Sequence, residues 1–320
     1  MPLLFDMPYE DLLTYEGTNP KPSDFDTFWD RSIQVMQSID PQVELIPAEF
    51  QTAYADCYHL YFTGVGGARV YAKLLKPKAV SEPGPAVVMF HGYSGNSGDW
   101  VDKLPYVAAG YTVAALDCRG QGGRSEDAGG VKGWTLNGHI VRGLDTGPEN
   151  LLYRSIFLDT AQLANIVMAM PEVDADRVGA TGGSQGGGLS FVCAALEPRL
   201  KRVAPYFPFL SDYQRVWEID QDVDAYDELR AWFRRFDPRH EREDEIFYQL
   251  GYIDIQHLAP RIQAEVLMGT ALMDTVCPPS TQFAAYNKIA TPKSLVVYPD
   301  YGHEHLPDLN DKIFQFMMGL

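Results

Sequence analysis

The stretch Arg177–Leu196, RVGATGGSQGGGLSFVCAAL, sets one serine, Ser184, among the glycines at 182, 183, 186, 187 and 188. It opens as an apolar run and continues as a helical pattern, so it reads as strand, tight turn, helix. Within it, Gly182–Gly186 (GGSQG) fits Gly-x-Ser-x-Gly at a strand-to-helix turn, the form of a nucleophile elbow. Such a turn bends the backbone sharply. Glycines two before and two after the serine remove side-chain clashes from it. The hydroxyl is lifted above the sheet, and the first amides of the helix point toward it. Taken alone, the pentapeptide could be a flexible turn; its place between strand and helix makes Ser184 a nucleophile.

Outward from this turn, the chain repeats one rhythm. Continuous apolar runs occur at 85–92 (PAVVMFHG), 111–120 (YTVAALDCRG), 177–183, 202–209 (RVAPYFPF), 264–270 (AEVLMGT) and 293–299 (KSLVVYP). Helical patterns separate most of them: near Trp100–Ala109, over Leu151–Met170 up to Pro171, after Ser184, and at 309–319. Runs of this kind are strands buried on both faces. Their alternation with helices predicts an α/β chain with a mostly parallel central sheet covered on both sides, the α/β-hydrolase fold once the elbow is included. Before them, 57–64 (CYHLYFTG) and 68–77 (ARVYAKLLKP) alternate like antiparallel strands joined by a Gly-containing turn. Residues 1–50 read as an N-terminal arm. Its helix has Ser23 as N-cap and Phe25, Phe28, Trp29 and Ile33 on one face. Residues 120–150 are Gly-rich and irregular, with Trp134, His139 and Arg142 among them; a loop of that length is functional or an interface. Residues 210–260 are charged and aromatic and predict a helical insertion, or lid, before the strand at 264–270. The whole, 1–320, is read as one domain.

With 320 residues, 46% of them hydrophobic, the chain can bury a large core. Its formal net charge of −17 disfavours nucleic acid and anionic lipid as partners. No apolar run approaches the ~18 residues of a membrane span, and MPLLFDMPYEDLL lacks the basic and apolar regions of a signal peptide. Cys57, Cys118, Cys193 and Cys277 lie far apart with no CxxC pair. They read as reduced, partly buried thiols of a cytoplasmic protein, and neither they nor the scattered histidines suggest a metal site.

A serine hydroxyl needs a base, and the elbow orders the triad as Ser, then acid, then His. His303, after the strand at 293–299 and before the last helix, is the expected base; His305 is its neighbour and rival. Asp274, after the strand at 264–270, is the expected orienting acid, ahead of Asp300. His240 and His257 lie in the insertion and read as surface or packing residues. The oxyanion hole needs two backbone amides set in advance: that of Gln185, directly after the nucleophile, and that of Tyr93 in FHGYSG. His91 in the same loop is expected to pack or hydrogen-bond beneath it rather than act as a second base. Pro205, Tyr206 and Phe207 are candidates for the pocket wall. No cofactor or metal is required.

With these residues in place, the chain resembles the acetyl xylan esterase and cephalosporin C deacetylase group, carbohydrate esterase family seven. The resemblance rests on RGQ at Arg119–Gln121, GGSQG at Gly182–Gly186 and HE at His303–Glu304, with DFDTFW at 24–29 and HGYSG at 91–95, and spans nearly the whole chain. It implies a deacetylase acting on acetylated xylo-oligosaccharides and small acetyl esters, including 3′-acetyl cephalosporins. It implies Ser184, Asp274 and His303 as the triad, with Tyr93 and Gln185 donating to the oxyanion. It also implies a cytoplasmic hexamer, a trimer of dimers, in which 120–150 could serve as interface. Arg119, Gly120 and Gln121 close a strand at the carboxyl edge of the sheet, where Arg119 is expected to scaffold loop carbonyls. Glu304 either pins the histidine loop or is solvated. Two other readings remain open: a serine peptidase of the prolyl oligopeptidase type, and a non-catalytic binding protein on the same fold.

Overall fold

The structure, a computed structural model, describes residues 5–78, 81–130 and 139–320. Trp134 and the middle of the 120–150 segment lie outside them. Nine strands form one sheet: β1 (Glu44–Pro47), β2 (Ala55–Thr63), β3 (Arg69–Pro77), β4 (Gly84–Phe90), β5 (Thr112–Asp117), β6 (Val173–Gly183), β7 (Arg202–Tyr206), β8 (Glu265–Ala271) and β9 (Lys293–Tyr298). Their order is β1-β2-β3-β5-β4-β6-β7-β8-β9. The first three pair antiparallel, β3 joins β5 antiparallel, and every pairing from β5 to β9 is parallel. The six apolar runs are β4 to β9, and Ala86, Val87, Val88, Val113, Ala114, Val178 and Val203 are fully buried in β4 to β7, whereas β9, at the edge of the sheet, has no buried residue, against the expectation of burial on both faces. Strand β1 was not foreseen. All four of its residues are exposed, so no hydrophobic pattern marks it.

Helices cover the sheet: α1 (Tyr9–Leu12), α2 (Phe25–Gln37), α3 (Leu104–Ala108), α4 (Leu152–Met168), α5 (Gln185–Leu196), α6 (Tyr213–Glu218), α7 (Asp227–Phe236), α8 (Glu243–Leu250), α9 (Ile255–Leu258), α10 (Pro279–Tyr286) and α11 (Leu309–Met317). Helices α6 to α9 are inserted between β7 and β8 as a cap. No helix among the described residues is long and apolar enough to cross a membrane.

The arm docks through α2, whose buried face is Phe25, Phe28, Trp29, Ser32 and Met36, with Ile33 only partly buried. Trp29 donates its Nε1–H to the Tyr252 carbonyl at 2.9 Å and stacks on Phe157 of α4 at 5.8 Å. Burying a side chain of this size contributes about 2–3 kcal/mol. The N-cap is Asp24, not Ser23. A turn closed by Phe25 N–H on Pro22 O starts the helix one residue later, and Ser23 instead meets the Tyr248 hydroxyl through its amide (3.1 Å) and its Oγ (3.3 Å). Ahead of α2, Asp212 in the cap accepts hydrogen bonds from Tyr15 Oη (2.8 Å), Thr18 N (3.0 Å) and Asn19 N (2.8 Å). Asp6 accepts from Arg215 Nη2 (2.7 Å) and Ser280 N (2.6 Å).

Candidate active site

Ser184 links the end of β6 to the start of α5 with φ 57° and ψ −123°. That conformation costs a non-glycine residue ~1–3 kcal/mol and is held by three backbone bonds. Its N–H donates to Tyr206 O (3.0 Å), while its carbonyl accepts from Gly188 N (3.1 Å) and Phe209 N (3.0 Å). The neighbouring glycines are required by close approach. A Cβ at Gly182 would lie 2.5 Å from Phe90 O, and one at Gly186 2.1 Å from the same oxygen. Strand β4 therefore presses directly on the elbow, and Ser184 is left half-buried at the carboxyl edge of the sheet.

His303 reaches the same edge from the loop after β9, and Asp274 from the loop after β8. His303 Nδ1 and Asp274 Oδ2 are 2.9 Å apart, and the carboxylate is fully buried. Its other oxygen accepts from the amides of Val276 (2.9 Å) and Cys277 (2.8 Å), which fixes the acid in its loop. Cys277 sits beside the acid and the histidine. Its Sγ lies within 4.8 Å of the ligand atoms of both Asp274 and His303, and the neighbouring Ser184 side chain partly offsets the rise that burial imposes on its thiol pKa. Sequence reasoning classed Cys277 with the other buried thiols; its position three residues after the acid was the available signal. All four cysteines are free and buried.

The alternatives are placed elsewhere. Asp300 and His305 are exposed. His91 donates from Nδ1 to Gly92 O (2.7 Å) and accepts the Cys118 amide at Nε2 (3.0 Å); burial pushes its pKa down, so it is a neutral, fully occupied support under the loop. His240 packs on Trp217 and Phe233, and His257 packs on Phe25.

The loop after β4 carries Tyr93 and is tied to the elbow from below. Gln185, fully buried, donates Nε2 to His91 O (3.2 Å) and accepts at Oε1 from Tyr153 Oη (2.7 Å) and Gln121 Nε2 (2.7 Å). Gln121 in turn accepts the Ser94 amide at 2.9 Å. Gln121 thus positions the loop, although it ends a different strand. Gly120 has φ 65°, a left-handed turn that suits glycine. Arg119 makes a bidentate bond to Asp159 of α4 (Nε–Oδ2 and Nη2–Oδ1, both 2.6 Å) and donates to one carbonyl, Val65 O (2.8 Å), rather than to several. Glu304 accepts the Gly302 amide at 3.0 Å and so braces the histidine loop.

Phe207 lies against the base, its ring centroid 4.4 Å from that of His303. Tyr206 shares a 220 Å³ cavity with Phe207, Glu304 and His305. Pro205 is a buried residue of β7 paired with Gly182, within the sheet. Glu228 of α7 was not foreseen. It is buried, and its carboxylate accepts from Tyr93 Oη and, at the other oxygen, from Ile140 N (2.9 Å) and Val141 N (3.1 Å). Burial raises its pKa to about 7 against the lowering effect of these donors. Nothing in sequence links two residues that lie 135 positions apart.

Asp274, Cys277 and His303 are the one group among the described residues with ligand atoms close enough for a metal ion. Their chemistry fits poorly. Burial pushes the thiol pKa well up, so it stays protonated, and the carboxylate and imidazole already bind each other.

A mostly parallel sheet with an elbow serine, a histidine and a buried acid at its carboxyl edge defines the α/β-hydrolase class. The acetyl xylan esterase (AXE1) family model matches residues 1–320, and the chain belongs to that family. It is similar to acetyl xylan esterase 1 from Thermoanaerobacterium sp. JW/SL YS485, 61% identical with a TM-score of 0.97 over 98% of this chain and 99% of that one. It is also similar to the acetyl xylan esterase from Paenibacillus sp. R4, 36% identical with a TM-score of 0.90 over 98% and 99%. Acetyl esterase Axe7A of Xylanibacter ruminicola is 27% identical over 292 residues, 88% of this chain; the chain spans 63% of that relative's length.

Proposed function

We propose that this chain is a serine esterase that removes acetyl groups from acetylated xylo-oligosaccharides and other small acetyl esters. The observation that carries the reading is the convergence of Ser184, Cys277, His303 and Asp274 at one point of the sheet edge. His303 takes the Ser184 proton at Nε2 as Oγ attacks the acetyl carbonyl carbon, while Asp274 holds Nδ1–H and steadies the imidazolium. The amides of Tyr93 and Gln185 receive the tetrahedral oxyanion; that of Gln185, as the first residue of α5, has no acceptor within the helix. The C–O bond to the alcohol breaks, the alcohol leaves with the His303 proton, and acetyl-Ser184 remains. Water, deprotonated by His303, then attacks the acyl carbon; the bond to Oγ breaks, His303 returns the proton to Ser184, and acetate leaves.

The small acyl group is supported by the three family relatives and by the Phe207 ring set against the base. Cephalosporin C falls in the same reading as a small acetyl ester. A hexamer is supported by the exposed edge strand β1 and the 520 Å³ apolar groove beside it, lined by Ile39, Val43, Leu45 and Ile166. A reducing, cytoplasmic setting is supported by four free thiols.

The test is labelling and turnover. A fluorophosphonate should modify Ser184 and nothing in Ser184→Ala, and efficiency should fall from 4-nitrophenyl acetate through butyrate to octanoate. An unlabelled wild-type serine, or a preference for octanoate, refutes the assignment. A column sizing run at physiological salt reads the oligomer.

A further inference from the structure

We propose that Glu228 is a positioning residue for acetyl transfer: from the cap it holds Tyr93, and through Tyr93 the amide that meets the developing oxyanion. This rests on the reading of Tyr93 as an oxyanion donor. Three segments distant in sequence meet on this one carboxylate: the loop after β4 through the Tyr93 hydroxyl, and the end of the irregular segment through the amides of Ile140 and Val141, with α7 supplying Glu228 itself. The carboxylate is 1% exposed. A buried carboxylate is an expensive way to fill a core, and the interaction best attested for such groups is the fixing of one arrangement over others.

The geometry shows what is fixed. The Tyr93 ring packs edge-on against His139 at 5.1 Å and Phe209 at 5.7 Å. Those contacts are non-directional at the hydroxyl end, where the bond to Glu228 adds a directional tie. On the chain side, the next residue, Ser94, has φ 58° and donates its amide to Gln121. The main chain at Tyr93 is therefore stretched between two anchors, Glu228 above and Gln121 below. An oxyanion donor works only if it is in place before charge develops, so slackening either anchor costs rate rather than ground-state binding.

The experiment compares Glu228→Gln, Tyr93→Phe and the double variant with wild type, using kcat and KM for 4-nitrophenyl acetate and the rate of Ser184 phosphonylation by a fluorophosphonate. Thermal unfolding verifies the fold of each. Each single variant should lower kcat and the phosphonylation rate about 10–100-fold, less than the ~10²–10³ lost with a donor itself, with KM within about twofold. The double variant should be no worse than the poorer single one, because both remove the same link. A folded Glu228→Gln enzyme with unchanged kcat overturns the proposal, as does a rise in KM alone or losses that multiply in the double variant. If Glu228→Gln does not fold, Tyr93→Phe decides in its place, and unchanged kcat there overturns the proposal. A wild-type protein that neither hydrolyses the ester nor takes the label overturns the esterase reading itself, an outcome distinct from an active wild type indifferent to Glu228.

Discussion

Asp274 has both carboxylate oxygens committed, one to His303 and one to two amides of its own loop. Asp274→Asn keeps the shape, but its amide can present N–H to Nδ1 and favour the wrong tautomer. We expect kcat to fall by ~10⁴ with little change in KM, measured with 4-nitrophenyl acetate. Arg119 and Asp159 illustrate a different kind of residue. Both are nearly inaccessible, and the pair is bidentate. Asp159→Asn strands a buried guanidinium and should cost ~3–5 kcal/mol of stability, read as a lower urea midpoint. A serine at the elbow and an acid and a histidine after the later strands could be picked from the chain because the elbow dictates their order, and the structure sets that acid and histidine 2.9 Å apart. Cys277, Asp159 and Glu228 could not, because what they do depends on which distant atoms they touch. Cys277 faces a serine 93 positions earlier only after β6 and β8 are laid side by side with β7 between them.

Among elements, the strands that position the site were the most legible. Strands β4 and β5 are buried on both faces at their centre and so carry unbroken apolar runs, as does β6 from Val178 onward, after an exposed Asp176 and Arg177. Strand β1 offered no such signal, since it contributes backbone pairing to β2 and no buried side chain. The shift of the α2 start from Ser23 to Asp24 was illegible for a similar reason: a turn at Pro22 and the distant Tyr248 hydroxyl decide it. The loop after β4 is an element whose order comes from its neighbours. Gln121→Ala removes the acceptor for the Ser94 amide and one partner of Gln185. We expect kcat to drop about tenfold, short of the ~10²–10³ for losing an oxyanion donor outright, while thermal stability falls only slightly. Equal losses in kcat/KM and in stability would mean that Gln121 acts on the fold and not on the loop.

For the molecule as a whole, pH acts through buried groups far from the reaction. His257 lies between the arm and the cap, its pKa pushed down to about 3, chiefly by burial and then by Lys288 and Lys21. In the unfolded chain it titrates near ~6.5. Its contribution to stability is therefore fully present above that pH and is lost as pH falls toward 3. His257→Gln removes this dependence. Between pH 7.5 and 4.5 the variant should lose about 2–3 kcal/mol less unfolding free energy than wild type, read from urea titrations at the two pH values. The arm beside it also constrains when the molecule can be finished. Tyr15, Thr18 and Asn19 bind a carboxylate at position 212, and Asp6 reaches Arg215 and the amide of Ser280. On a ribosome, residues 6–19 thus cannot close these bonds until positions 212, 215 and 280 have been synthesised, and a nascent protein stalled before residue 212 carries them unsecured.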